Sequence, residues 1–451
     1  MTQSHPKVVI VGGGFAGLAA AKALRDAPVD VLVVDRRNHH VFQPLLYQVA
    51  TASLSPADIS APIRSVLRGQ KNCEVVLAEV TGVDIAKRRL MTVGGHLGYD
   101  YLILAAGATH AYFGHDEWAR LAPGLKSIED GTELRRRILL AFESAEHEGS
   151  EEARRAVLTF GIVGGGPTGV ELAGAIKEIA GKTIPLDYRH IDTRTTRVIL
   201  FEAGPRLLAT FPPQLSARAQ RDLERMGVEV RLSSAVTNVT ADGIAIGPEF
   251  IAVRNVFWAA GVKASPLGKS LGVPVDRAGR VIVGPDLTIP GHSEVFVVGD
   301  LAASTSADTG QPVPGVAQGG IQSGHYAGST IARQVREPSS AASRKPFVYR
   351  DKGSMAVIGK AKAVADLGWL KVGGFLAWAI WGGIHIAFLI GFRNRAQVLF
   401  AWFWNWLLNA RDARLITGDA RLDIRTPRSD EFVSDEPAAG RTDGPREALR
   451  Q

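Results

Sequence analysis

Two glycine-rich segments, far apart in the chain, have the spacing of dinucleotide-binding loops. The first runs Gly12-Gly13-Gly14-Phe15-Ala16-Gly17. Gly12 allows a tight turn, Gly14 lets a pyrophosphate approach the backbone, and Gly17 lets the following helix pack against the strand. Asp35 ends the next β-branched run, where a carboxylate can accept hydrogen bonds from ribose hydroxyls. This segment therefore predicts a site for one dinucleotide.

The second segment repeats the pattern. It runs Gly164-Gly165-Gly166-Pro167-Thr168-Gly169, and Glu202 is the acid in the place equivalent to Asp35. An acid there repels the 2′-phosphate of NADPH, so NADH is favoured. A single glycine turn before a helix is often only structural, but two such loops with matching acids indicate two bound dinucleotides.

A late acid helps to assign the two loops. The apolar run Val295–Val298 is followed by Gly299-Asp300. A strand that delivers an acid at this point can reach the ribityl hydroxyls of a flavin, although the acid could instead cap the next helix. With two dinucleotide loops upstream, we favour the first reading and assign the first loop to FAD and the second to NADH.

The elements around the loops repeat as well. Strands are predicted at Lys7–Val11, Val29–Val34, Ala156–Val163 and Arg197–Phe201, and loop-following helices at Phe15–Leu24 and Val170–Ala180. The repeat predicts an α/β protein with two Rossmann-type domains. Further predictions are a hairpin at Leu90–Tyr99, strands at Tyr101–Leu104 and Val256–Gly261, several short strands within Val228–Val253, and helices at Asp130–Ala145, Ser216–Met226 and Val316–Val335.

The amino-acid composition limits which redox reactions and which partners the protein can have. The 451 residues include one cysteine, Cys73, so a redox cysteine pair, as disulfide reductases and sulfide:quinone oxidoreductases use, is excluded. The net charge of +7 suits an anionic surface. The sequence shows no nucleic-acid-binding module and no metal-ligand motif. We therefore expect the basic surface to bind a membrane rather than nucleic acid, and we expect no metal site.

The C-terminal part has a different character. Gly373–Phe392 is 20 residues long without a formal charge, and Ala396–Leu408 is a second aromatic run. Length alone would permit a transmembrane helix. Tryptophans prefer the membrane interface, and Arg393, Arg395, Arg411 and Arg414 suit anionic head groups. We expect interfacial binding first, a buried dimer core second, and a true span last.

Several segments also resemble one family, the type II NADH dehydrogenases, which are non-proton-pumping NADH:quinone oxidoreductases. The resemblance covers roughly Val8 to Ile416. It is carried by His40-Val41-Phe42-Gln43-Pro44-Leu45-Leu46-Tyr47-Gln48-Val49-Ala50, by Tyr101-Leu102-Ile103-Leu104-Ala105-Ala106-Gly107-Ala108-Thr109, by Pro314-Gly315-Val316-Ala317-Gln318, and by Ile390-Gly391-Phe392-Arg393-Asn394-Arg395.

The resemblance implies a glutathione-reductase-like pair of domains and a C-terminal amphipathic helical region that binds the membrane. The predicted divisions are residues 1–115 and 266–338 for FAD, 116–155 for a helical connector, 156–265 for NADH and 346–416 for membrane anchoring. The composition of residues 426–451, which mixes charge, Pro and Gly, predicts a disordered tail there. Residues implied to hold FAD are Gly12, Gly14, Phe15, Ala16, Gly17, Asp35, Arg36, Val80, Ala106, Gly107, Asp300 and Ala317. Those implied to hold NADH are Gly164, Gly166, Thr168, Gly169, Glu202 and Gly261.

The resemblance also implies catalytic side chains. Gln318 and Gln322, one helical turn apart, would lie near the flavin ring and the quinone head group, where amides can donate to quinone carbonyls. Glu171 would relay protons if it is buried, although an acid at a helix start is also stabilised by the helix dipole. Lys362 is a weaker candidate for stabilising reduced flavin or quinone, with a surface lysine as the alternative.

The expected activity is hydride transfer from NADH to N5 of FAD, then delivery of two electrons to a membrane quinone without proton pumping. The expected location is peripheral or monotopic, on the cytoplasmic face of the cell membrane, with a homodimer as a possible assembly. Two rivals remain open. A soluble ferredoxin- or rubredoxin-type reductase would have no use for Gly373–Leu408, and a redox-sensing flavoprotein would bind both nucleotides without turnover.

Overall fold

A computed structural model describes residues 5–408, 411 and 413–417. The α-helices are α1 (Phe15–Ala23), α2 (Leu46–Ala50), α3 (Ile63–Leu67), α4 (Ile128–His147), α5 (Glu151–Val157), α6 (Pro167–Glu178), α7 (Pro213–Arg225), α8 (Ala317–Arg336), α9 (Phe375–Phe388) and α10 (Phe392–Leu408). The strands are β1 (Lys7–Val11), β2 (Asp30–Asp35), β3 (His39–Val41), β4 (Ser60–Pro62), β5 (Cys73–Leu77), β6 (Val80–Asp84), β7 (Arg89–Thr92), β8 (Gly95–Gly98), β9 (Tyr101–Leu104), β10 (Ala108–His110), β11 (Thr159–Val163), β12 (Arg197–Phe201), β13 (Val228–Arg231), β14 (Asn238–Val239), β15 (Gly243–Ile246), β16 (Glu249–Ala252), β17 (Asn255–Trp258), β18 (Val262–Ala264), β19 (Val281–Ile282), β20 (Thr288–Ile289), β21 (His292–Val297), β22 (Ala302–Ala303), β23 (Ser354–Gly359), β24 (Lys362–Asp366) and β25 (Lys371–Gly373).

The first domain is built on a six-stranded sheet with the order β20-β21-β9-β1-β2-β5. Its central strands are parallel and almost wholly apolar, as expected for a sheet covered on both faces. The late strand β21 pairs with β9 although nearly 190 residues separate them. The sheet of this domain is therefore assembled from both ends of a long chain segment.

The second domain is inserted between these two parts. Its parallel sheet has the order β13-β12-β11-β17, and α6 follows β11 directly. A small antiparallel sheet of β14, β15 and β16 adjoins it. The predicted strand at Ala156–Val163 begins later than expected: residues Glu151–Val157 form α5, capped by Ser150, and the strand starts at Thr159.

Helices α1 and α8 pack closely in the first domain, because small residues line their contact. An added Cβ at Gly324 would overlap the carbonyl oxygen of Ala16, and one at Gly328 would crowd that of Ala20. The backbones approach this closely only because glycine has no side chain. This packing holds the start of α1, and with it the first glycine loop, against the late segment of the chain.

The C-terminal region contains a sheet as well as helices. Strands β23, β24 and β25 form an antiparallel sheet that the sequence analysis did not anticipate. The apolar stretch Gly373–Phe392 is not one helix, since α9 ends at Phe388 and α10 starts at Phe392. Among the described residues, no helix combines the length and apolar character needed to cross a membrane.

Large apolar side chains stand exposed on these two helices. This surface, which we call the exposed aromatic surface, comprises Phe375, Leu376, Phe388, Phe392, Leu399, Phe400, Phe403, Trp404, Trp406, Leu407 and Leu408. Trp381, by contrast, is buried, and Trp402 donates from Nε1 to Oε1 of Gln48 at 2.7 Å. The expectation that Arg411 meets lipid head groups is wrong, because its side chain is buried and paired with Glu178. The predicted tail at 426–451 lies outside the described residues.

Candidate functional site

A cavity of about 1970 Å³ runs between the two nucleotide domains and the C-terminal region. The residues of the FAD prediction that line it are Gly12, Gly14, Phe15, Ala16, Asp35, Arg36, Val80, Ala106, Gly107, Asp300 and Ala317. Glu171, Thr168 and Gln318 line it too. Gly17, Gly164, Gly166, Gly169, Glu202, Gly261, Gln322 and Lys362 are not among its lining residues. The cavity thus lies along the first loop. From the second domain it is lined by only a few residues, among them Thr168, Glu171 and Phe211.

The first loop has the conformation that its glycines permit. Gly12 has a φ of +105°, which disfavours any side chain. An added Cβ at Gly17 would overlap the carbonyl oxygen of Gly12. At Gly14, in contrast, a Cβ would meet no atom within 4 Å, so this backbone faces open space. The loop is closed against its own strand and open toward the cavity, as a pyrophosphate site at a helix N-terminus requires.

The second loop repeats this geometry. Gly164 has a φ of +111°, and an added Cβ at Gly169 would overlap the carbonyl oxygen of Gly164. The position equivalent to Gly14 is Gly166, which also has open space in front of it. In each loop, therefore, two glycines are at positions that disfavour a side chain and a third faces open space.

The two predicted acids are held in the same way. A carboxylate oxygen of Asp35 accepts from the backbone N–H of Gly13 at 2.6 Å, and the other accepts from Arg37 at 2.7 Å. Glu202 accepts from the N–H groups of Gly165 and Gly204, both at 2.6 Å. These charge-assisted hydrogen bonds fix each carboxylate beside its loop. Its remaining lone pairs can accept hydrogen bonds from ribose hydroxyls there.

The residues of the first domain fit FAD. The open backbone at Gly14 suits the pyrophosphate, Asp35 suits the ribose, and Asp300 lies farther along the same cavity. Nζ of Lys126 lies 3.8 Å from a carboxylate oxygen of Asp300, and both residues line the cavity. Lys126 was not predicted, because a single lysine in a connector has no sequence signature.

Glu171 lies where two cavities meet. It is in the second turn of α6 and lines both the large cavity and a smaller one of about 90 Å³. Its Oε1 accepts a long hydrogen bond of 3.4 Å from the N–H of Val357. Burial raises the pKa of its carboxyl to about 8, because desolvation disfavours the charged form. Glu171 can therefore hold a proton at neutral pH.

The two predicted glutamines have different surroundings. Gln318 lines the large cavity, and its buried Oε1 has no hydrogen-bond partner among the described residues. Gln322 donates from Nε2 to the carbonyl of Arg350 and accepts from its N–H, both at 2.9 Å. The structure thus brings Gln318, and not Gln322, to the cavity. Lys362 begins β24, away from the lining.

His385 of α9 was missed by sequence reasoning. It lines the large cavity together with Ile384 and Phe388. Burial lowers the pKa of its imidazole to about 4, so the ring is neutral at physiological pH. A lone histidine inside an aromatic run resembles a structural residue, which is why no sequence signal marked it.

Two family models match the chain. Residues 6–328 match the model of pyridine nucleotide-disulphide oxidoreductases, and residues 352–412 match that of the NDH2 C-terminal domain. The described residues contain one cysteine, Cys73, which is unpaired. The fold of the first family is therefore present without a dithiol pair.

Curated relatives and solved structures agree with these models. The type II NADH:quinone oxidoreductase NdhA of Mycobacterium tuberculosis is 48% identical over 91% of this chain and 89% of its own length. The type II NADH:quinone oxidoreductase Ndh of the same organism is 47% identical over 93% and 92%. The structure of NDH2 from Plasmodium falciparum in complex with NADH has a TM-score of 0.82 at 19% identity, covering 92% of this chain and 100% of that one, and it shows the same fold. With its two glycine loops, its matching acids and its C-terminal domain, the chain belongs to the type II NADH:quinone oxidoreductases.

Proposed function

We propose that this chain is an FAD-dependent NADH:quinone oxidoreductase that works without proton pumping. The observation that carries the proposal is the composition of the large cavity. Residues of the first loop, Thr168 and Phe211 of the second domain, and His385 of the C-terminal region line the same space. One cavity can therefore bring a flavin, a nicotinamide and a third ligand together.

When bound, FAD supplies the two-electron chemistry that takes hydride from NADH and reduces the quinone. The protein contributes binding and orientation. The Gly14 backbone and the N-terminus of α1 hold the pyrophosphate, and Asp35 holds the ribose. Glu202 does the same for NADH at the second loop. Since Glu202 carries a negative charge, it also disfavours the 2′-phosphate of NADPH.

The reaction NADH + H⁺ + Q → NAD⁺ + QH₂ takes up one proton from solvent. We assign this proton to Glu171, because a carboxyl with a pKa of about 8 is protonated at neutral pH and can donate. The amide of Gln318 donates to a quinone carbonyl as negative charge develops on it. Gln322 and Lys362 have no direct role in this scheme, since neither lines the cavity.

We further propose that the exposed aromatic surface binds the cytoplasmic face of the cell membrane. Soluble monomers rarely expose apolar patches of this extent. Arg393 is exposed beside it and suits anionic head groups. The alternative occupant is a second copy of the chain. Sedimentation with anionic liposomes tests the proposal: replacing Phe400, Phe403 and Trp404 by serine should abolish binding. A dimer that dissociates in this variant, without liposome binding in the parent protein, would favour the alternative.

Spectroscopy of the purified holoprotein tests the activity. Anaerobic NADH should bleach the flavin absorbance, and a short-chain quinone should restore it. Bleaching without quinone-dependent recovery would favour a ferredoxin- or rubredoxin-type reductase, or a redox sensor. A holoprotein that NADH does not bleach would overturn the proposal.

A further inference from the structure

His385 is held in one orientation from three sides. Its Nδ1 lies 2.7 Å from the carbonyl oxygen of Trp381, one turn earlier in α9. Its ring stacks on the indole of Trp381 with centroids 4.3 Å apart, and its edge meets Phe42 at 6.0 Å. Trp381 is itself buried against Trp402. The imidazole therefore has little freedom to turn.

This arrangement also fixes the tautomer of the ring. A carbonyl oxygen can only accept, so Nδ1 must carry the hydrogen. The imidazole is neutral at physiological pH, since burial holds its pKa at about 4. Nε2 is then an unprotonated nitrogen with a lone pair. Among the described residues, Nε2 has no hydrogen-bond partner, so it is the polar atom that His385 offers to the cavity.

A hydrogen-bond acceptor distinguishes the two redox forms of a quinone. The carbonyls of the oxidised form only accept hydrogen bonds, so an acceptor atom of the protein cannot form a hydrogen bond with them. The hydroxyls of the reduced form donate. The acid and amide of the cavity, Glu171 and Gln318, can donate and so serve the oxidised form. His385 in this tautomer can serve only the reduced form.

We propose that His385 is a binding residue for the product, its Nε2 accepting a hydrogen bond from a hydroxyl of the hydroquinone. This inference rests on the proposed function and deepens it. The cavity then holds the reduced quinone more tightly than it would without this acceptor. The visible consequence is product inhibition that depends on His385.

The test compares two constants measured on the holoenzyme. The probes are 2,3-dimethoxy-5-methyl-1,4-benzoquinone as electron acceptor and its hydroquinone as added product, under anaerobic conditions. In His385→Phe, which keeps an aromatic ring but loses the acceptor, the inhibition constant of the hydroquinone should rise roughly three- to tenfold. The KM for the oxidised quinone should change less than about twofold on the same reasoning. The rate of flavin reduction by NADH should stay the same.

Two further variants sharpen the result. His385→Gln places an amide oxygen near the position of Nε2 and should restore much of the product inhibition. His325→Phe alters an exposed histidine of α8 and should leave both constants unchanged.

Two outcomes would overturn the inference. One is an unchanged inhibition constant in His385→Phe, and the other is a KM that rises as much as the inhibition constant, since a purely structural role moves both. Failure of the proposed function itself would be recognised separately, because the reduced parent protein would then not be reoxidised by the benzoquinone at all.

Discussion

Nη2 of Arg411 lies 3.1 Å from Oε2 of Glu178, and only 6% and 14% of the two side chains are exposed. Nη1 of Arg411 also donates to the carbonyl of Thr51 at 3.0 Å. Arg411, three residues beyond the end of α10, thereby binds both α6 of the second domain and the loop after α2. The chain segment that contains α9 and α10 is thus held in place after α10 as well as before α9, at β25.

Removing this arginine should destabilise the protein. Arg411→Ala removes the buried cation beside Glu178 and leaves only Lys182, an exposed cation whose Nζ lies 3.9 Å from the carboxylate. This loss should cost about 3 kcal/mol in free energy of unfolding. Urea unfolding of the holoprotein measures this cost. The matched control is Arg414→Ala, whose pair with Asp187 is far more exposed and should contribute less than about 1 kcal/mol. Equal losses in the two variants would contradict the prediction.

A substitution in either glycine loop should abolish the binding of one dinucleotide and leave the other unaffected. An alanine at Gly17 would force its Cβ into the carbonyl of Gly12, and one at Gly169 would do the same at Gly164. We expect Gly17→Ala to lose FAD, seen as loss of the flavin absorbance after purification. We expect Gly169→Ala to keep FAD but to lose bleaching by NADH. A Gly169→Ala protein without flavin would show that the domains do not fail separately.

The quinone step should depend on pH through Glu171. Burial raises the pKa of this carboxyl to about 8, so it is protonated below that pH and loses its proton above it. Reoxidation of the flavin by quinone should therefore slow as the pH rises through about 8. Glu171→Gln should slow reoxidation by roughly a hundredfold or more below pH 8, by less above it, and abolish the transition. Stopped-flow measurement separates this step from reduction by NADH, which should not change.

The nucleotide preference should depend on Glu202. Its carboxylate is fixed by Gly165 and Gly204 at the edge of the second loop. Glu202→Gln removes the charge with little change of shape, so the ratio of kcat/KM for NADH over NADPH should fall by roughly tenfold, equivalent to about 1.4 kcal/mol. Glu229→Gln, an acid of the same domain that pairs with Arg197 and Arg231, is the control. A ratio unchanged in Glu202→Gln would refute the assignment.

The nucleotide domains follow from the sequence because each step there is local. A glycine turn, a helix start and a strand end lie within about 40 residues of each other in both domains. The loop geometry and the positions of Asp35 and Glu202 could therefore be predicted residue by residue.

The C-terminal region could not be predicted in this way. Strands β23 and β24 are short, and the aromatic runs beside them dominate the pattern. The sequence around Arg411 does not show whether its side chain contacts a lipid or a carboxylate, because its partner Glu178 lies 233 residues earlier. The same holds for Gln318 and Gln322. Helical spacing places them on one face, but only the position of Arg350 decides that the second glutamine is used elsewhere.

The insertion of the second domain has a consequence for the order of folding during synthesis. Strands β11, β12, β13 and β17 lie within residues 159–258 and can pair as soon as that stretch has left the ribosome. The first domain must wait for β21 and for the glycine face of α8, which are made later. Its earlier half, including the first glycine loop, is therefore exposed while the inserted domain folds, and FAD can be retained only after residue 336 has emerged.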